Sequence, residues 1–155
     1  EINKFSNAII CRTFSKAFGI ASFRIGYAIS SSYNIETLKK VRNAKNITML
    51  SQHAAMACLE DVVYMKDYVS DVIKAKDKFY DFLEEIDYVK KYYTGAGNYV
   101  LFQLDNNIQE IFIEYLKKNG VYIRSFKHIP GHARITIGTS EQMEQVKELF
   151  IRFKS

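Results

Sequence analysis

The chain has 155 residues, 48% of them hydrophobic and a single one proline, which is enough apolar material for an ordinary folded core and excludes collagen-like or disordered composition. Its formal charge is +5, from 22 basic and 17 acidic side chains, yet the two signs interleave along the sequence, which speaks against nucleic acid as a partner and suits small anionic molecules. Cys11 and Cys58 stand far apart with no Cys-x-x-Cys pair, against a zinc ribbon, redox motif or disulfide framework and in keeping with a reducing cytoplasm, and no apolar run approaches the ~20 residues of a membrane span.

In chain order, residues 7–12, with Ala8, Ile9, Ile10 and Cys11 in continuous apolar order, read as a buried strand of the parallel kind, and residues 25–30 read as the next strand. The chain between them carries the chemistry. It holds the hydroxyls of Thr13 and Ser15, Lys16 directly after them, Gly19, and Arg24 ahead of Gly26 and Tyr27. Hydroxyls and a guanidinium can hold a phosphate dianion, the one by short hydrogen bonds and the other by a planar fork of donors. Lys16 can form an imine with a carbonyl once its amine is deprotonated. A lysine at the end of a strand also lies where open α/β folds place their ligand crevice.

The spaced set Thr13-x-Ser15-Lys16-Ala17-Phe18-Gly19-x-Ala21-x-x-Arg24-x-Gly26-Tyr27 resembles the cofactor-lysine segment of pyridoxal-phosphate-dependent aminotransferases of fold type I, most nearly the histidinol-phosphate aminotransferase group. The resemblance implies that Lys16 links covalently to pyridoxal 5'-phosphate and acts as the catalytic acid and base, while Thr13, Ser15 and Arg24 hold the cofactor phosphate. It also implies a homodimeric cytoplasmic enzyme of amino-acid biosynthesis, histidine biosynthesis included. The chain opens on Glu1 with the lysine segment close behind, so it reads as a carboxy-terminal part whose counterpart carries the groups that grip the pyridine ring. Alone, such a part is expected to be inactive.

Residues 34–42 form a helix candidate, with Asn34 as cap and Lys39, Lys40 and Arg42 in the last turn, where the helix dipole favours cations. After it, the resembling family shows an Arg-x-Pro-aromatic-Asn pattern; here Arg42 and Asn46 remain, but Ala44 replaces the proline and Lys45 the aromatic. Lys45 brings positive charge to the substrate side, which points to a small phosphorylated amine or keto compound as an alternative to histidinol phosphate. Residues 51–59 are alanine-rich and helical by propensity, with His53 read as a packed or half-exposed helix residue. From residue 61 to 86 no glycine or proline occurs, and Val62, Met65, Val69, Val72, Ile73, Phe79, Leu83 and Ile86 mark one face of a long helix.

A small domain is expected from residue 87 onward: a loop at 94–97, a strand at 98–104, a helix at 108–118 with Ile108, Ile111, Phe112, Tyr115 and Leu116 inward, and Gly120 as its stop. Strands at 121–124 and 134–138 follow, then Thr139 and Gln142 as a capping box for a last helix on Met143, Val146, Leu149, Phe150 and Phe153. Alternation in Arg134-Ile135-Thr136-Ile137 turns the isoleucines one way and Arg134 the other, so the arginine faces solvent or a ligand. This segment is similar to the one that supplies the family's substrate-anion arginine, and the run ending in Arg124 to one that supplies a further active-site arginine. Asn98 matches a family asparagine. His128 and His132 have helical metal-site spacing, but Pro130 and Gly131 between them forbid the helix, so no metal is expected.

The expected architecture is therefore α/β: the end of a fold type I large domain over residues 1–60, a connecting helix over 61–86, and a small α/β domain over 87–155. The expected activity of the complete protein is amino-group transfer on a small anionic amino compound. The alternatives are a related lyase such as a threonine-phosphate decarboxylase, and a non-catalytic fragment.

Overall fold

The computed structural model describes residues 4–44, 46–105 and 107–153 and divides the chain into two compact units, Glu1–Tyr68 and Val69–Ser155. In the first, strand β1 (Ile10–Thr13) pairs with β2 (Gly26–Ile29) in an antiparallel two-stranded sheet, with Thr13 opposite Gly26. The expectation of a buried parallel strand is corrected here. The loop after Thr13 reverses the chain, so the two strands run against each other, and among the described residues they pair with one another alone, which leaves Ile10 and Ile29 41% and 45% exposed.

Helix α1 (Ser32–Val41) starts on Ser31, whose hydroxyl accepts from the Asn34 amide, not on Asn34 itself. Asn34 is used instead as a clip: its Nδ2 donates to the Ser6 carbonyl at 2.7 Å and to Ser30 Oγ at 2.8 Å. Helix α2 (Met49–Glu60) is capped by Thr48, and His53 lies on it with Nδ1 against the Met49 carbonyl at 2.9 Å. Helix α3 (Val62–Glu84) begins in the first unit and ends in the second.

The second unit is built on a four-stranded antiparallel sheet in the order β3 (Val89–Tyr93), β4 (Tyr99–Leu104), β6 (His132–Thr136), β5 (Arg124–Ser125). Period-two alternation turns Val100, Phe102, Leu104, Ala133 and Ile135 to one face, where they pack on Phe79 and Leu83 of α3, Phe112 and Leu116 of helix α4 (Gln109–Lys118), and Met143, Val146 and Phe150 of helix α5 (Ser140–Arg152). Phe150 is the hub, with ring centroids 4.8 Å from Phe112, 5.7 Å from Phe79 and 5.8 Å from Phe102. The stripes on α3 and α4 are narrower than their apolar residues suggest, since Ile73 and Ile111 stay 48% and 62% exposed.

Helix α4 ends in a Schellman motif: Gly120, at φ +81°, donates to the Lys117 carbonyl, and Val121 donates to that of Leu116. This explains why the strand expected at 121–124 is shorter and later than its composition suggests. The Val121 amide closes the helix and cannot join a ladder. The last helix has the expected capping box, Thr139 Oγ1 accepting from the Gln142 amide and Gln142 Oε1 from the Thr139 amide.

Candidate functional site

The segment singled out in the first unit is a compact turn. Thr13 ends β1, and its Oγ1 accepts the Ser15 amide at 3.1 Å while donating to Ser15 Oγ at 2.9 Å. The Ser15 hydroxyl proton is thereby left available to an anion. Lys16 opens the next turn, closed by the Gly19 amide on the Lys16 carbonyl at 3.0 Å with Gly19 at φ +71°. Phe14 lies beneath, 6% exposed, with its ring 4.9 Å from Phe18 and 6.0 Å from Tyr27. That aromatic cluster fixes the polar side of the turn by burying the other side.

Arg24 sits at φ +51° and ψ +45°, the left-handed region, which costs a non-glycine residue about 1–2 kcal/mol. Its amide and one guanidinium nitrogen both bond the Ala21 carbonyl, at 3.3 and 2.9 Å, closing a short 3-10 turn over Ala21–Phe23. The turn is pinned from behind: Ser51, 5% exposed, donates its hydroxyl to the Phe23 carbonyl at 2.8 Å. Strained backbone held by its surroundings marks positions kept for a ligand more often than for stability. From Thr13 to Tyr27 there is no carboxylate, so the turn offers hydroxyl protons, a guanidinium and an amine, a donor set that fits a phosphate beside an aldehyde.

In the second unit the antiparallel ladder sets Arg134 of β6 directly opposite Arg124 of β5, and both therefore project from the sheet face away from the core. The Arg134 guanidinium lies 5.0 Å from the centre of the Tyr99 ring. Two guanidinium groups set across neighbouring strands repel unless an anion lies between them. On the same face His132 donates Nδ1–H to the Pro130 carbonyl at 3.0 Å, which leaves Nε2 to accept the Tyr93 hydroxyl at 3.1 Å. Asn98 acts through its backbone, its carbonyl accepting the Ile137 amide at 3.0 Å. Lys45 lies outside the described residues. No group of metal-ligating side chains occurs among the described residues, and none of their helices is long and apolar enough to cross a membrane.

Two features escaped the reading of the sequence. Lys76 of α3 is only 7% exposed, and its ammonium donates to the carbonyls of Gly95 at 2.7 Å and Gly97 at 3.0 Å. A signal existed, since Lys76 falls three residues before Phe79 and four after Val72, inside the apolar stripe. The Tyr99–Arg134 contact had none, for it joins residues on different strands.

Comparison with known proteins gives concordant results. The chain is 45% identical to a dihydroxyacetone phosphate transaminase of Campylobacter jejuni over 98% of its own length and 42% of that protein's. It is 38% identical to a histidinol-phosphate aminotransferase of Macrococcus caseolyticus over 99% of this chain and 41% of that protein, so it spans about two-fifths of the length of these curated relatives. Among solved structures, the histidinol-phosphate aminotransferase of Clostridium acetobutylicum superposes with a TM-score of 0.87 at 26% identity, covering 97% of this chain and 46% of that one. The α/β fold type I expected from the lysine segment is thus the fold found. With the aminotransferase class I and II family matching residues 1–150, the turn around Lys16 has its context: the chain belongs to the class I and II aminotransferases.

Proposed function

We propose that the complete protein is a pyridoxal-phosphate-dependent aminotransferase acting on a small phosphorylated amino or keto compound. The observation that carries this reading is the turn at Thr13–Gly19, in which two hydroxyls held 2.9 Å apart precede a lysine with no carboxylate in the segment. When bound, pyridoxal phosphate supplies an aldehyde carbon and an electron-withdrawing ring. Lys16 would hold the cofactor through its amine and, when that amine is free, would serve as the acid and base that takes up and returns the substrate's proton. Thr13, Ser15 and Arg24 take the cofactor phosphate, the hydroxyls by direct hydrogen bonds and the guanidinium by charge.

Arg134 and Arg124 take the substrate anion. The relatives at 45% and 38% identity are a dihydroxyacetone phosphate transaminase and a histidinol-phosphate aminotransferase, and both names specify a phosphate-bearing substrate. Paired guanidinium groups are the donor set that such a group needs. Between the two we favour the smaller compound, because Lys45 stands where the family places an aromatic on the substrate side. Residues 1–60 then belong to a large cofactor-binding domain, 61–86 to a connecting helix and 87–155 to a small domain. Exposed Met49, Leu50, Met56 and Leu59 on α2 fit burial in a homodimer, and the setting is the cytoplasm.

Borohydride reduction of the complete, cofactor-loaded protein tests the reading, since only an imine is fixed as a stable amine. Peptide mapping is expected to find the label on Lys16, and a label on another lysine would end the assignment. Product analysis distinguishes transfer, which leaves a keto product, from a decarboxylase, which releases carbon dioxide.

A further inference from the structure

A lysine withdrawn from water without a carboxylate partner requires a reason. Among the described residues Lys76 meets that description: its ammonium is spent on two backbone carbonyls, those of Gly95 and Gly97, in the loop that leads into β4. Desolvating an ammonium costs several kcal/mol, and charge-assisted bonds to carbonyls recover that only where the loop is held to one shape. The loop is shaped further by Gly97, where an added Cβ would stand 2.6 Å from Cε1 of the Tyr99 ring. Tyr99, two residues on, carries the Arg134 guanidinium 5.0 Å from its ring centre, and its backbone lies opposite Thr136 in the β4–β6 ladder. The chain of contacts therefore runs from the Lys76 ammonium to the Gly95 and Gly97 carbonyls, to the ring packed on Gly97, to the arginine.

We propose that Lys76 is a positioning residue for the substrate-anion arginine, acting through the 94–98 loop and the Tyr99 ring. The inference rests on the reading of Arg134 given above. An arginine on an open sheet face has many rotamers, and a ring held against one of its faces removes most of them before the anion arrives, which is preorganisation. Removing the lysine frees the loop, lets the ring swing and restores the disorder of the guanidinium. Anion affinity falls, while the cofactor site, built from other residues, is untouched.

The test is titration of the complete, cofactor-loaded protein with inorganic phosphate, read by calorimetry, alongside the cofactor absorbance and the unfolding midpoint. Lys76→Met is expected to weaken phosphate binding roughly tenfold without changing the cofactor spectrum, and Lys76→Arg to restore most of it because the donors return. Tyr99→Leu, which leaves the lysine in place, should weaken binding to a similar degree, and it alone decides the matter if Lys76→Met fails to fold. A lower unfolding midpoint in Lys76→Met with phosphate affinity unchanged would overturn the proposal, as would unchanged affinity in Tyr99→Leu. Arg134→Gln is the reference. If it binds phosphate as the wild type does, the reading of Arg134 and the inference fall together; if it loses phosphate while Lys76→Met and Tyr99→Leu do not, only the inference falls.

Discussion

Gly26→Ala is the sharpest probe of how the fold places the proposed cofactor ligands. Gly26 lies opposite Thr13 in the β1–β2 ladder, and a Cβ there would stand 2.5 Å from the Arg12 carbonyl oxygen. That is about 0.9 Å short of ordinary contact, and the obstacle is backbone, so no rotamer change relieves it. The strands must part at the residue before Thr13, at a cost of about 1–3 kcal/mol in stability. Displacing Thr13 also disturbs its pair of bonds with Ser15, so, on the proposed assignment, the cofactor phosphate should lose at least one charge-assisted hydrogen bond worth about 1.5–3 kcal/mol, a tenfold or greater rise in cofactor Kd. Gly19→Ala is the control: nothing lies within 4 Å of its added Cβ, but φ +71° makes any side chain there cost about 1 kcal/mol of strain without parting the strands. The assay is absorbance titration of the complete protein with pyridoxal phosphate, paired with denaturant unfolding. If Gly26→Ala binds the cofactor within twofold of wild type despite losing stability, strand spacing does not set the ligand geometry and the reasoning is refuted.

Arg24→Gly relieves the left-handed strain, so its stability should hold or rise by about 1 kcal/mol while cofactor retention falls, and Arg24→Lys should not recover retention because the planar fork is lost; equal losses of stability and retention would count against a ligand role. Phe150→Ala should cost about 3–5 kcal/mol by chemical denaturation, since its fully buried ring meets those of Phe79, Phe102 and Phe112 at once. Burial, with a smaller contribution from Tyr115, pushes the Tyr88 phenol well above the ordinary tyrosine range, and its hydroxyl donates to the Phe150 carbonyl at 2.7 Å. The folded state binds that proton more tightly than the unfolded chain, so its contribution is complete below pH about 10 and is lost as pH rises above it, a decline that Tyr88→Phe should flatten in alkaline denaturation curves.

What the sequence determined by itself is whatever depends on neighbours a few residues away. The Thr139–Gln142 capping box, the stop at Gly120 and the Phe79–Leu83 stripe are complete within a turn or two of chain, and each is found where its residues place it. The Thr13–Gly19 turn is of the same kind, because its hydroxyls and lysine are close in sequence and meet by local hydrogen bonds. Tertiary structure decided the rest. A run such as Ile9-Ile10-Cys11 states that a strand is apolar but not which way its partner runs, and that direction came from the loop ending at Gly26. Strand β3 escaped notice because Lys90-Lys91 and Tyr92-Tyr93 come as pairs and break the period-two alternation, and pairing with β4, with a register irregularity between Val89 and Lys91, makes it a strand. Arg124 facing Arg134, the Tyr99 ring on that guanidinium, and Lys76 buried on two carbonyls all join residues far apart in the chain. Their energies exist only after the ladder and the helix packing have brought them together, so spacing could mark Lys76 as lying in the apolar stripe of its helix but could not name its partners, nor those of the two arginines.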